Sequence, residues 1–208
     1  MTGKQASYPS LVDQVRENHQ PLAEVTQEQQ CVLQGRFLRV VRDTVLQPNG
    51  KLATREYVQP PGAVVVVPML DDGRYLLERQ YRHPMARMMI EFPAGKLDDG
   101  EPGLDCARRE LREETGCEAR EWAYAGVMHN CIGYSDEHIE IWFARGLSQH
   151  EQALEEGELL HLSAATLPEL LELTRSGALT DAKTLTCLLW LQLVDSGLWA
   201  LDWQELAA

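Results

Sequence analysis

Gly95–Cys117 reads G-K-L-D-D-G-E-P-G-L-D-C-A-R-R-E-L-R-E-E-T-G-C. From Pro102 onward the apolar positions change to a helical period. Leu104, Ala107 and Leu111 fall on one face, Pro102 stands where a first helical turn accepts proline, and Gly116 supplies the stop. At about 100° per residue, Glu110, Glu113 and Glu114 fan across roughly one third of the helix, beside the apolar stripe and not opposite it. The stripe faces a core, so the carboxylates border that core and a cleft. Like charges three or four residues apart cost about 0.2–0.5 kcal/mol per pair in an isolated helix, and more when partly buried. A hard divalent cation with oxygen ligands turns that repulsion into binding. Mg²⁺ in such a place bridges carboxylate and phosphate oxygens and activates water. For a bare E-x-x-E-E the plainer alternative is a solvated acidic helix face.

The rest of the chain restricts what such a helix could serve. Among 208 residues, 32 acids stand against 19 bases, a net charge of −13. That balance repels nucleic acid and anionic membranes, and neither is expected as a partner. A phosphate-bearing substrate then needs an arginine cluster, a divalent cation, or both. Arg79, Arg82 and Arg87 form such a positive patch, and arginine suits bidentate phosphate contacts. The five cysteines are odd in number, widely spaced and without a C-x-x-C pair, which suits a reducing, cytoplasmic setting better than a disulfide framework. No apolar run typical of a signal peptide and no stretch of transmembrane length is present. His83, His129, His138 and His161 show no metal-ligand spacing.

Before and after the helix the periodicity is that of strands. The first 30 or so residues read as a helix or partly ordered arm. Cys31 to Val45 alternates weakly, Asn49-Gly50 is a hairpin turn that tolerates two positive φ angles, and Leu52 to Val58 leads away. Val64 to Val67 is apolar and β-branched, the mark of a strand covered on both faces and ended by Pro68. Asp71-Asp72-Gly73 turns the chain into a return strand over 74–79, and Met88 to Phe92 is another short strand. Three more follow around 122–127, 139–144 and 159–163. An amphipathic helix spans 166–175, and a last helix, apolar nearly all round and read as buried, runs from Asp181 to about Val194. The order points to an α/β (α+β) sandwich with a mixed sheet between helices. Residues 1–58 read as an N-terminal arm and β-hairpin extension, and 59–208 as the main domain.

The segment matches G-x5-E-x7-R-E-U-x-E-E-x-G-U, with U a bulky apolar residue, at Gly95, Glu101, Arg109, Glu110, Leu111, Glu113, Glu114 and Gly116. Cys117 is the single departure. On these residues the chain resembles the Nudix hydrolases, which hydrolyse a nucleoside diphosphate linked to another group. The resemblance implies an α/β/α Nudix sandwich and Mg²⁺, in two or more ions for which Mn²⁺ can substitute. It implies Glu110 and Glu114 as principal metal ligands, Glu113 sharing a second ion, and the Ala94 carbonyl as a further ligand, freed by a sharp backbone turn at Gly95. Arg109 and Glu101 would brace loop and helix as a hydrogen-bonded pair.

Outside the box, Arg79-Gln80-Tyr81-Arg82 and Glu91-Phe92-Pro93-Ala94-Gly95 look like the ADP-ribose pyrophosphatase subfamily. Arg55-Glu56, Ser135-Asp136-Glu137 and Thr180-Asp181-Ala182-Lys183-Thr184 fit the same pattern. That resemblance implies hydrolysis of a small nucleotide sugar, with ADP-ribose giving AMP and ribose 5-phosphate. Arg82 is the expected phosphate contact and Glu91 the contact to a ribose hydroxyl or adenine edge. Arg55, Glu56 and Gly133 would complete the substrate site, with Tyr81 in the core. The base is expected in Leu154-Glu155-Glu156-Gly157-Glu158, at Glu155 or Glu156. A homodimer is implied, the N-terminal extension helping to build the partner's site. Ile132 stands where the subfamily usually carries the proline of Ser-Pro-Gly, so GDP-mannose, ADP-glucose and NADH stay open as substrates. Outside enzymes, the alternative is a sensor that binds ADP-ribose-type ligands without hydrolysis.

Overall fold

The computed structural model describes residues 10–16, 21–154 and 156–206. The chain divides into two compact units, Met1–Val58 and Gln59–Ala208.

In the first unit a short helix α1 (Leu11–Arg16) precedes strands β1 (Val25–Gln34), β2 (Arg39–Leu46) and β3 (Leu52–Val58), paired antiparallel in that order. The weakly alternating run from Cys31 to Val45 is therefore not one strand. It is broken at Gly35, whose N–H bonds the Leu38 carbonyl, and strand structure begins at Val25. The next turn does fall at Asn49-Gly50, closed by Gly50 N–H to the Gln47 carbonyl. Only Gly50 of that pair takes a positive φ, 79°, because the loop runs from Gln47 to Lys51 and is longer than a two-residue hairpin.

The second unit holds β4 (Ala63–Pro68), β5 (Tyr75–Arg82), β6 (Arg87–Glu91), β7 (Ala94–Lys96) and α2 (Gly103–Thr115). There follow β8 (Cys117–Met128), β9 (Ile139–Gln149), β10 (Leu160–Ala165), α3 (Leu167–Arg175), α4 (Ala182–Asp195) and β11 (Gln204–Glu205). A mixed sheet has the order β11-β8-β9-β4-β7, with β4 and β9 parallel, and a second antiparallel sheet has the order β10-β5-β6. The strand after the Asp71-Asp72-Gly73 turn thus pairs with β6 and β10. Across the turn itself Met69 bridges Tyr75 and the Leu70 N–H bonds the Arg74 carbonyl at 2.9 Å.

The valines of β4 divide the core. Val64 and Val66 pack with Cys106, Ala107 and Leu111 of α2, whereas Val65 and Val67 pack with Leu170 of α3 and Leu188 and Leu191 of α4. Period-two alternation sends successive side chains to opposite faces, so one apolar run anchors helices on both sides. This is the sandwich that the pattern of elements implies. α3 starts with a complete capping box, Thr166 with Glu169, and α4 with Asp181 accepting from Thr184 N–H. α4 is less enclosed than its composition suggests: Cys187 and Leu188 are buried, but Leu189 is exposed. No described helix is long and apolar enough to cross a membrane.

Candidate active site

α2 carries the acids, and its ends decide where they point. Pro102 caps the start, and Gly116 closes the end at φ 70°, its N–H bonding the Arg112 carbonyl. A Cβ at Gly116 would lie 2.4 Å from the His150 carbonyl oxygen, so glycine is required twice over. With Cys106, Ala107 and Leu111 fully buried, Glu110 and Glu114 are carried to the edge of β7. There the Ala94 N–H donates to Glu114 Oε2 at 2.9 Å. A Cβ at Gly95 would meet the Glu110 carboxyl carbon at 1.8 Å. Gly95 therefore provides close approach, not a left-handed turn, since it is absent from the positive-φ glycines.

Arg109 organises the near side. Its guanidinium holds Glu101 through two bonds of 2.9 Å, reaches the Lys96 carbonyl at 3.1 Å, and bonds Glu110 at 2.7 Å and Glu113 at 3.2 Å. The bond from Arg109 holds the Glu101 carboxyl down to about 2. Glu110 moves the other way: burial raises its pKa more than Arg109 lowers it.

The far side is less balanced. Glu114 is pushed up to about 9, by burial first and then by the carboxylates of Glu78 and Glu110. Glu78, on β5, is fully buried, and neither carboxylate oxygen has a hydrogen-bond partner. Directly across the β5–β6 ladder from it is Glu91, equally buried but paired. Arg82 grips Glu91 at 2.7 and 2.8 Å, and the Lys183 ammonium bonds it as well. Burial alone would raise the Glu91 carboxyl, but the two cations outweigh it and hold it low.

This chemistry fits a hard divalent cation: the donors are oxygens, the acids are largely desolvated, and one of them has two orphaned atoms. Among the described residues, no three His, Cys, Asp or Glu side chains already close around a common point. Arg109 supplies the positive charge at Glu110 and Glu113. A cavity of about 610 Å³ opens on the opposite flank of α2, beside Arg108, Arg112, Arg120 and Trp122. None of Glu110, Glu113 and Glu114 lines it, and Arg112 and Arg120 are engaged by Glu118 and Glu121.

The model of the NUDIX domain matches residues 59–186, more than half of the chain. The chain belongs to the NUDIX family. It is 37% identical over 177 residues to a methanol dehydrogenase activator of Bacillus methanolicus, covering 83% of this chain and 95% of that protein. It is 34% identical over 177 residues to an ADP-ribose pyrophosphatase of Bacillus subtilis (strain 168), covering 84% and 96%. A crystal structure of an ADP compounds hydrolase superposes with a TM-score of 0.76 at 22% identity, covering 84% of this chain and 95% of that one; that likeness is one of fold.

Other expected site residues of this NUDIX chain fall in several places. The arginine patch is split: Arg82 and Arg87 are cross-strand partners on one face, whereas Arg79 lies on the other face of β5. Arg82 remains 41% exposed while bonded to Glu91, and Arg87 bonds the Thr180 hydroxyl at 2.6 Å. Glu91 is occupied by two cations and buried, which leaves it no open face for a ribose. Tyr81 is not a core residue, being 54% exposed: the face it shares with Tyr75, Leu77 and Arg79 is buried only as far as Leu77, and the last residues of β5 on that side are exposed. Gly133 lies in an exposed turn closed by Tyr134 N–H to the Cys131 carbonyl, with Ile132 beside it 84% exposed. Arg55 and Glu56 lie on β3 of the first unit, where Arg55 bonds Glu24 and Glu56 bonds Arg42 at 2.7 Å.

The loop after β9 is fastened to the end of α2. His150 N–H donates to the Gly116 carbonyl at 2.7 Å, Ala153 N–H to that of Glu113 at 2.9 Å, and the Gln152 side chain to that of Glu114 at 2.5 Å. Glu155 lies outside the described residues, and Glu156 is exposed. Glu158, passed over in the sequence, is the loop acid whose charge acts on Glu78, Glu110 and Glu114 together. Glu78 carries no sequence signal of a site, and Lys183, which stands in the Thr180–Thr184 motif, gains its role only from its bond to Glu91. The only sign of Glu78 in the sequence is an acid following Leu76 at the alternate position of a strand, and Gln80 and Arg82 continuing that face make it look like an ordinary solvated one.

Proposed function

We propose that this chain hydrolyses the pyrophosphate bond of a nucleoside-diphosphate sugar, ADP-ribose first, releasing AMP and ribose 5-phosphate. The observation that carries it is the acid set of α2: Glu110 and Glu114 against Ala94 and Gly95 of β7, Glu114 with no ion pair among the described residues, and Glu110 and Glu113 held by Arg109. The likeness to the ADP-ribose pyrophosphatase of Bacillus subtilis over nearly its whole length supports the substrate class. Family membership implies a divalent cation, and Mg²⁺ in two or more ions, with Mn²⁺ as substitute, is the proposed cofactor.

Glu110 and Glu114 would hold the cation, with Glu113 contributing once Arg109 releases it. The cation supplies charge neutralisation for the phosphate oxygens and acidifies the attacking water. Arg82, kept oriented by its bidentate bond to Glu91, presents the rest of its guanidinium to a phosphate. Glu91 thereby acts as a positioning residue, not as a contact to the ribose. A glutamate of the 154–158 loop removes the proton as water attacks one phosphorus and the bridging P–O bond breaks. Glu158 joins Glu155 and Glu156 as a candidate, because its charge already acts on the acids of α2. Glu101 and Arg109 hold the loop before α2 against the helix.

We propose in addition a cytoplasmic homodimer in which the first unit, with Arg55 and Glu56, helps to complete the partner's substrate site. Every residue of β1 is exposed, Val25, Val32 and Leu33 among them, which supports an association through that unit. Light scattering should give twice the 23.5 kDa of one chain; a monomer at working concentration removes the dimer.

The deciding experiment is phosphate-coupled turnover with Mg²⁺ on ADP-ribose, ADP-glucose, GDP-mannose and NADH, with Glu114→Gln as control. ADP-ribose leading, with the control inactive, is the expected result. Another leading substrate removes ADP-ribose alone. Binding of ADP-ribose without turnover of any substrate favours the sensor.

A further inference from the structure

Among the described acids, Glu78 is the one buried with both carboxylate oxygens unpartnered. Proton uptake does not cure this, since an O–H in that place still finds no acceptor. Buried carboxylates left so are strongly unfavourable, and an apolar residue of similar size would suit a structural position better. The neighbouring cations are spoken for: Arg82 and Lys183 both bond Glu91, and Lys183 also pairs with Asp181 at 3.1 Å.

The strand sets the direction of the side chain. Leu76 packs against the cluster that holds Ala107 and Leu111 of α2, and residues two apart on a strand share a face. Glu78 is therefore turned toward the acid edge of α2, away from Leu77 and the α3–α4 core. Among the charges around Glu114, Glu78 exerts the largest effect. Among the described residues, one hydrogen bond reaches the Glu114 carboxylate, from the Ala94 N–H. Two buried carboxylates, one accepting from the Ala94 N–H and one with no hydrogen-bond partner, thus face the same side of β5 and α2, close enough for the charge of one to act on the other.

We propose that Glu78 is a further acid of the divalent-cation site, sharing a cation with Glu114. The proposal rests on the reading of α2 as the metal-bearing helix and extends its ligand set to β5. Glu91 lies opposite Glu78 in the ladder and holds Arg82, so the same strand pair would present the cation and the phosphate-binding guanidinium side by side.

The test is Mn²⁺ titration of the metal-stripped full-length protein, following free Mn²⁺ by electron paramagnetic resonance and thermal midpoint with and without the ion. Wild type, Glu78→Gln and Glu114→Gln are compared, with Glu78→Met as the variant to use if Glu78→Gln does not fold. Glu78→Gln should lose one bound Mn²⁺ per chain, or bind it at least about tenfold more weakly. Its midpoint without metal should rise, while the Mn²⁺-induced gain shrinks. Unchanged Mn²⁺ stoichiometry and affinity in Glu78→Gln, or in Glu78→Met, overturns the proposal and makes Glu78 a buried structural acid. Wild type that binds Mn²⁺ through Glu78 yet hydrolyses no nucleotide sugar defeats the functional reading alone. Wild type that hydrolyses ADP-ribose while Glu78→Gln binds Mn²⁺ normally defeats this proposal alone.

Discussion

In the loop just before α2, Glu101 rests in the two-pronged grip of Arg109 and also accepts from the Asp98 N–H at 3.0 Å. At the end of the helix, Glu114 has one backbone donor and the orphaned Glu78 for company. The acids that flank one helix are thus held in opposite ways, Glu101 just before it by a cation within the chain and Glu114 at its end by nothing ionic among the described residues. A site assembled only for rigidity would pair both. The difference marks the first region as scaffold and the second as a place prepared for a charge from solution.

The largest effect should come from removing the unpaired end. Glu114→Gln should lower kcat for ADP-ribose by about a thousandfold, about 4 kcal/mol of barrier, while the chelated protein melts no lower than wild type. Steady-state kinetics alongside calorimetry check both halves; a clear fall in the melting point would place Glu114 in the scaffold instead.

Removing the paired end should do the reverse in kind. Arg109→Met strips counter-charge from Glu101, Glu110 and Glu113 and should cost about 2 kcal/mol of stability. For a chain of this size that is a melting point about 4–8 °C lower. Turnover should fall too, but by less than with Glu114→Gln.

The two ends should also respond oppositely to pH. Glu101 is held down to about 2, so its stabilisation is complete above its ordinary value near 4.5 and is lost as pH falls from there toward 2. Glu78 and Glu114 are raised to about 8 and about 9, by burial first. Their stabilisation is complete below about 4.5 and is lost as pH rises toward 9. In chelator, the thermal midpoint should therefore decline from pH 6 to 9, and Mg²⁺ should restore more of it the higher the pH. A midpoint in chelator that stays level across that range contradicts the contrast.

The smallest effect is expected far from either end. Gly133→Ala meets nothing within 4 Å of its new Cβ and should leave the melting point within about 1 °C, a change at the surface. A changed KM there with unaltered kcat would show that the Ile132 turn touches substrate.

Much of this was readable in the sequence, for identifiable reasons. The helix from Gly103 to Thr115 follows from its apolar period, its proline and its glycine, and the two-sided burial of β4 from four successive valines. Strand extents were shorter in the reading than in the molecule, since β8 and β9 run on through Cys117–Met128 and Ile139–Gln149 where exposed polar residues hide the alternation. β11 is two residues long and carries no pattern at all. In the site, the acids of α2 were legible because helical spacing alone groups them. Glu78 was not, because it reaches the site from β5, and Lys183 of the Thr180–Thr184 motif shows its partner Glu91 only once α4 is folded against β6. Tyr81 lies outside the core, against the expectation, because β5 runs beyond the core it helps to form: the face that buries Tyr75 and Leu77 is open by Arg79 and Tyr81.

The stapling of residues 149–153 to the last carbonyls of α2 carries a further implication. The bonds run to backbone oxygens of residues 113–116, so the loop takes its bearings from where the helix stops, whichever side chains it carries. Helix and loop then travel as one piece, and a shift of α2 by a fraction of an ångström would reach the loop glutamates undiminished. Lengthening the helix by one residue would swing those carbonyls by about 100° and aim the loop elsewhere. The end of α2 is a datum line, and the tolerance of the whole reaction is measured from it.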